Sequence, residues 1–138
     1  MHDIANLPYD HDLQCFKTSL RLNDRDVEIL LSDEHLKDHE QLGLRLQASL
    51  DWLLAQHHTI VNFCVAQFLD LKNESWLHEG QKPVTAWGFR TRLRLQAMYI
   101  TADGRVVLRF LDGGLFWGHW VVVATDPELR LLSIDLEG

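Results

Sequence analysis

The part of the sequence most informative about the fold is residues 94–138, RLQAMYITADGRVVLRFLDGGLFWGHWVVVATDPELRLLSIDLEG. Three tight-turn signals interrupt it: Asp103-Gly104, Asp112-Gly113-Gly114 and Asp126-Pro127. The apolar runs between these turns have the length and composition of strands and lie at 96–101, 105–111, 115–124 and 129–136. The pattern predicts a four-stranded antiparallel meander over residues 94–138.

The most distinctive side chains of the meander lie in the run LFWGHW at 115–120. On a strand, Trp117 and His119 share one face, and Phe116, Gly118 and Trp120 share the other. Because the whole run 115–124 is apolar on both faces, it predicts a central strand covered on both sides. Two interpretations stay open for this run. Either Trp117 and His119 line a ligand pocket, or they pack in the core with a hydrogen-bonded imidazole, which we favour because buried aromatic residues are mostly core residues.

Upstream of the meander, the sequence predicts a hairpin and then helices. Alternating apolar residues at 13–22 and 27–31, joined by Asn23-Asp24, indicate a hairpin over 13–31. Residues 33–93 have a helical period, with Ser32 or Asp33 as the expected N-cap. We expect one helix to about residue 56, a second over 59–72 and a short third one after Pro83.

These elements predict an α+β fold and one domain over residues 1–138. A single-layer antiparallel sheet, built from the N-terminal hairpin and the C-terminal meander, should pack one face against two or three helices. The parts are the hairpin at 13–31, the helical segment at 33–93 and the β-meander at 94–138.

Composition and charge exclude several classes of function. Of the 138 residues, 46% are hydrophobic and 24% are charged, which is typical of a globular chain. The formal charge of −7 lies in residues 1–70, with 12 acids against 5 bases, whereas residues 71–138 carry 8 of each. An acidic half disfavours phosphate backbones and favours a basic protein partner, so we expect no direct binding to nucleic acid. Without a signal-peptide pattern or a long apolar run, we expect a cytoplasmic protein that does not enter a membrane.

No catalytic residue, metal site or cofactor is predicted. Cys15 and Cys64 are far apart in apolar surroundings, which is typical of buried free thiols. His35 and His39 share a helical spacing but lack the further ligands that zinc requires. The arginines at 90, 92, 94, 105 and 109 could bind an anion, but we expect them to pair with the acidic hairpin.

The C-terminal half resembles a bacterial family of unknown function, number 2262. The resemblance covers about residues 58–138 and depends on an Asn-x-x-Trp element at a helix end, an arginine-rich segment at 89–95, the run 112–119 and the final Gly138. The chain departs from the family pattern at Trp120, where a small or polar residue is expected. The family implies no catalytic activity, and we interpret its motif residues as structural: Asn73, Trp76, Phe116, Trp117, Gly118 and His119.

Two functional hypotheses of different class follow. The first is a non-enzymatic protein-binding domain, specifically an immunity protein that neutralises a bacterial toxin, with a toxin that acts on nucleic acid as one option. Its contact surface would include an acidic edge formed by Asp33, Glu34, Asp38 and Glu40. The alternative is an enzyme or a small-ligand-binding protein with a pocket around Trp117 and His119. A homodimer formed through the helices is a third option.

Overall fold

A computed structural model describes residues 4–33 and 38–138 of the chain. Within them, a short 3-10 turn at Ile4–Asn6 precedes seven strands and two helices. The strands are β1 (Tyr9–Asp10), β2 (Cys15–Leu22), β3 (Arg25–Ser32), β4 (Arg94–Ile100), β5 (Val106–Leu111), β6 (Trp120–Thr125) and β7 (Leu131–Glu137). The helices are α1 (His39–Ser75) and α2 (Ala86–Arg92), both inserted between β3 and β4.

The seven strands form one sheet in the order β1-β2-β3-β4-β5-β6-β7. The predicted α+β fold, with a hairpin and a meander in one sheet, is confirmed. The prediction of a purely antiparallel sheet is wrong at one pair, because β3 and β4 run parallel. The chain leaves β3 at one end of the sheet and returns along the two helices to the other end, so β4 must run in the same direction as β3.

Helix α1 is continuous through the predicted break at 56–59. Leu53 and Ile60 are both fully buried, so the apolar stripe continues across His57 and His58 without a change of face. The segment also contains neither Pro nor Gly, the residues that most strongly end a helix. The predicted N-cap was wrong as well. Ser32 ends β3, and Asp38 is the N-cap that accepts from the amides of Glu40 and Gln41.

The core lies between α1 and one face of the sheet. Leu42, Leu46 and Leu53 of the helix belong to the same buried cluster as the inward-facing residues of β3 to β6. The opposite face of the sheet carries partly exposed side chains such as Leu30, Tyr99 and Val107. The prediction that residues 115–124 are covered on both sides was therefore wrong, since the helices cover one face only.

Both cysteine side chains are buried and unpaired, as predicted. Burial raises the pKa of the Cys64 thiol to about 12, so this thiol stays protonated at neutral pH. Across residues 4–33 and 38–138, neither helix has the length and apolarity to cross a lipid bilayer.

Candidate functional site

The motif residues identified in the sequence come together at one end of the molecule. The last turn of α1 carries Asn73 and leads into Trp76, and the loop between β5 and β6 (residues 112–119) packs against them. The loop replaces the first part of the predicted strand, which begins only at Trp120. Two segments about 40 residues apart in the chain therefore form one structural unit.

The carboxylate of Asp112 holds the 112–119 loop together. Its oxygens accept hydrogen bonds from three backbone amides, those of Gly114 at 3.0 Å, Phe116 at 2.8 Å and Gly118 at 3.0 Å. The carboxylate and the Phe116 amide are buried, so the bond between them forms away from competing water, whereas Gly114 and Gly118 are exposed. This network of amide donors prevents residues 115–119 from continuing as a regular strand.

The loop also contains backbone conformations that few residues adopt. Gly113 has φ +60°, and a Cβ at this position would overlap the backbone carbonyl of Arg92. Trp117 has φ +59°, which is unusual for a large side chain. In this backbone conformation the Trp117 indole leaves the predicted strand register and lies against Trp76.

An aromatic cluster, defined here as Trp76, His78, Phe116, Trp117 and His119, surrounds the end of α1. The Trp76 ring makes edge contacts with Phe116, Trp117 and His119 at centroid distances of 5.6, 4.8 and 5.2 Å. The Trp117 indole N–H donates to the backbone carbonyl of Trp76 at 3.1 Å, and its ring stacks on His78. Edge-on and stacked aromatic pairs of this kind add stability beyond their buried area.

Polar side chains complete the same end of α1. The Asn73 amide binds both backbone groups of Val84, donating to the carbonyl at 2.9 Å and accepting from the N–H at 2.8 Å. The ammonium group of Lys72 is fully buried and donates to the Trp76 carbonyl at 2.7 Å and to Gln81 at 3.4 Å. Burial, with a smaller contribution from Arg92, lowers the pKa of Lys72. These groups anchor the segment that follows α1, which supports a structural interpretation of Asn73 and Trp76.

The predicted pairing of Trp117 and His119 on one strand face was wrong, because both lie in turns. Trp117 leaves 51% of its surface exposed, whereas Phe116 beside it is fully buried between Phe68 and Phe89. His119 is half-buried, and its Nδ1 lies 2.6 Å from the carbonyl oxygen of Phe116. This contact requires Nδ1 to carry the proton and to donate it to the carbonyl. A backbone carbonyl orients the imidazole but does not activate it as a carboxylate would.

The predicted acidic edge lies at the opposite end of the sheet. Asp33 accepts a hydrogen bond from the Tyr9 hydroxyl at 2.9 Å, Asp38 caps α1, and Glu40 is exposed in the first helical turn. Glu34 lies outside the described residues. Two of the proposed contact residues therefore also hold the fold together.

Sequence reasoning missed two further acids at this end, Asp10 and Asp12. Strand β1 pairs with the start of β2 and places Asp10 opposite Cys15, which is itself opposite Ser32 at the end of β3. The Asp10 carboxylate accepts from the Leu13 amide at 3.0 Å and binds Lys17 at 3.1 Å, and these contacts lower its pKa. The sequence carries no local signal for the two-residue strand β1, because the strand is defined only by its pairing with β2.

The arginines do not pair with the acidic hairpin, contrary to the prediction. Arg105 binds Asp103 within its own turn at 3.0 Å. Arg109 binds Glu137 of β7 at 3.4 Å and lies over the Trp120 ring at 4.9 Å. Both pairs are exposed, so each contributes little to stability.

No group of three or more His, Cys, Asp or Glu side chains in residues 4–33 and 38–138 is arranged to hold a metal ion. His35 lies outside the described residues, and the ring of His39 packs edge-on against Phe16 at 5.7 Å.

Comparisons with known proteins identify the family of this chain. No curated protein and no solved structure matches the chain. A family model described as "Uncharacterized protein conserved in bacteria (DUF2262)" matches residues 2–136, nearly the whole chain rather than the C-terminal half that the motifs cover. The resemblance inferred from residues 58–138 is thereby confirmed and extends to the N-terminal hairpin. The chain belongs to this bacterial family, DUF2262.

Proposed function

We propose that this chain is a non-enzymatic protein-binding domain, specifically an immunity protein that neutralises a basic bacterial toxin in the cytoplasm. Its contact surface is the acidic end, defined as Asp10, Asp12, Asp33, Asp38 and Glu40. The toxin is the direct partner, and a toxin acting on nucleic acid suits the proposal because such an active cleft is positively charged.

The observation that carries the proposal is the concentration of carboxylates at this end. Ring and hydrogen-bond contacts hold its three segments together: Tyr9 with Asp33, Tyr9 with Phe16, and Phe16 with His39. Lys17 forms an ion pair with Asp10 and neutralises the charge of that carboxylate. The remaining carboxylates give a local negative field that would accelerate encounter with a basic surface.

A cleft at the same end of the sheet supplies contact area with both polar and apolar lining residues. It has a volume of about 370 Å³ and lies between the first turns of α1 and the turns at 101–104 and 126–129. Leu44 lines it and is 49% exposed, and Ala48 and Leu129 add apolar surface. A protein interface needs such an apolar centre beside its charged rim, because rim charges mainly set the association rate.

The test compares two variants with the same change in net charge. Asp12→Asn/Asp33→Asn/Glu40→Gln neutralises three carboxylates of the acidic end, and Asp70→Asn/Glu74→Gln/Glu79→Gln neutralises three exposed ones near the other end of α1. Tagged wild-type protein is used to capture partners from a native bacterial lysate. We expect a basic protein whose toxicity in co-expression is relieved by the wild type and by the second variant.

For the first variant we expect the association rate with that protein to fall about tenfold or more at low salt, and to depend less on ionic strength. Equal rates for the two variants would remove the acidic end from the interface. A captured partner that is acidic, or one whose co-expression is harmless, would reject the immunity function.

A second candidate function is small-ligand binding at Trp117, favoured by the exposure of its indole beside His78 and His119. Flat aromatic surfaces of this kind bind cations or planar ligands. Screening ligands by tryptophan fluorescence, with Trp117→Phe as the reference, checks this. A saturable change in the wild type that Trp117→Phe abolishes would support it, and equal responses of the two proteins would exclude it.

A further inference from the structure

A small concavity lies between the tip of the β2–β3 hairpin, the middle of α1 and the start of β4. Its volume is about 60 Å³, which is room for one phosphate-sized group or for about two water molecules in bulk packing. Its floor is apolar, and its polar lining consists of Asn23, Arg25, His57 and Arg94. The site is separate from both the acidic end and the aromatic cluster.

The two arginines of this concavity have no counter-ion. Within residues 4–33 and 38–138, neither the Arg25 nor the Arg94 guanidinium has a hydrogen-bond or ion-pair partner. The nearby acids of the hairpin are Asp24, which is exposed at the tip, and Asp26, which binds Arg21 at 3.2 Å. The chain has 20 acids and 13 bases, so two unpaired arginines beside one cavity are not explained by a shortage of carboxylates.

Further positive charge lies close to His57 on the helices. Arg90 of α2 binds Asn62 and His58 on α1 and is close enough to His57 to repel its protonated form. Burial has the largest effect on His57, followed by the charges of His58 and Arg90, and together they lower its pKa. A neutral His57 still offers one N–H donor to an anion.

We propose that this concavity binds a phosphate-class oxyanion, either free or as the terminal group of a small molecule. The Arg25 and Arg94 guanidinium groups would hold its oxygens with paired N–H donors, a geometry that suits phosphate better than an ammonium group does. Asn23 and His57 supply further donors at the rim. The volume admits the phosphate group alone, so any attached organic part would lie in solvent.

The test measures binding of inorganic phosphate to the whole chain by calorimetry, in a buffer without other multivalent anions. We expect saturable binding with one site per chain. Arg25→Gln/Arg94→Gln should weaken it about tenfold or more, which corresponds to about 1.4 kcal/mol. The control Arg105→Gln/Arg130→Gln removes two exposed, ion-paired arginines from the opposite end and should change the affinity less than about twofold.

Two further measurements sharpen the result. At a fixed pH, phosphate should perturb the ring resonances of His57 more than those of His78, because His57 lines the concavity and His78 does not. A phosphate monoester that binds more tightly than phosphate would identify a phosphorylated small molecule as the ligand, and equal affinity would identify the free anion. The proposal is overturned by absence of saturable binding up to about 10 mM phosphate, or by equal weakening in the two double variants.

Discussion

At the scale of single residues, the Asp112 carboxylate holds the 112–119 loop together. Its two oxygens satisfy three amides that no strand partner reaches, and the carboxylate and the Phe116 amide are shielded from water. Removal of the carboxylate leaves the buried Phe116 donor unpaired, which is the costly case for a hydrogen bond, and also breaks the bonds to the exposed Gly114 and Gly118.

We therefore predict that Asp112→Ala lowers the free energy of unfolding by about 2–4 kcal/mol. The matched control is Asp38→Ala, since Asp38 also accepts from two amides, those of Glu40 and Gln41, but is exposed where water can replace it. We expect the control to lose less than about 1.5 kcal/mol. Urea unfolding of both variants provides the measurement, and equal losses would show that burial is not the reason.

Lys72 is the other residue whose environment sets a measurable property. Its folded-state pKa lies below the 10.5 of a solvated lysine, because burial disfavours the ammonium form. The unfolded chain therefore holds this proton to higher pH than the folded chain does. Linkage then makes the stability rise with pH between the lowered pKa and 10.5, since the unfolded state binds more protons there.

The prediction concerns wild type relative to Lys72→Met, which lacks this titration. As the pH rises from neutral towards 10.5, the unfolding free energy of the wild type should increase relative to that of the variant. The neutral amine keeps two N–H donors, so its bonds to Trp76 and Gln81 can persist. Urea titrations of both proteins at a series of pH values measure the difference, and a difference that stays constant with pH would contradict a lowered pKa.

At the scale of elements, α1 decides how the chain crosses the sheet. Its 37 residues span about 55 Å at the rise of an α-helix, long enough to carry the chain from the acidic end to the aromatic cluster without a joint. Two shorter helices with a turn at 56–59 would direct the chain elsewhere. The continuity of α1 is thus the reason that β4 lies parallel to β3.

Gln56 tests this continuity, because it is exposed and lies where the sequence predicted a helix to end. We expect Gln56→Gly to lower the free energy of unfolding by about 1 kcal/mol and Gln56→Ala to change it by less than about 0.5 kcal/mol. Glycine weakens a helix interior but has little effect in a turn. If the two variants were equally stable in urea unfolding, the residue would not be helical.

At the scale of the whole molecule, one core joins both helices to the sheet. The buried cluster extends from Ile4 through α1 and α2 to β6, and no part of the described chain forms a second core of its own. Charge is distributed differently, with the acidic end at one edge of the molecule and the free arginines of the small concavity near the other. The two proposed binding surfaces thus lie at opposite ends of the sheet.

A single core predicts a single unfolding transition. Loss of helical circular dichroism, which reports mainly on α1, should coincide in urea with the change in tryptophan fluorescence. The fluorescence reports on all five tryptophans, which are Trp52, Trp76, Trp87, Trp117 and Trp120. Coincidence would support one domain over residues 1–138. A helix signal lost at lower urea than the fluorescence would reveal an independently unfolding part.

Local signals in the sequence were sufficient to predict the fold class and the family. Turn signals at Asp103-Gly104, Asp112-Gly113 and Asp126-Pro127, with apolar alternation between them, are local, so they predicted the meander and the hairpin well. The Asn73 and Trp76 spacing and the run 112–119 identified the family because motif recognition requires no knowledge of contacts.

The conformations and contacts of these segments could be seen only in the folded chain. Residues 115–119 have the composition of a strand, but the Asp112 carboxylate and the end of α1 hold them in a loop. The continuity of α1, the position of Asp10 beside Asp33, and the meeting of Arg25 with Arg94 depend on contacts between residues far apart in the chain. Periodicity and propensity act over a few residues, whereas burial and pairing act across the whole fold, and here the long-range contacts prevailed.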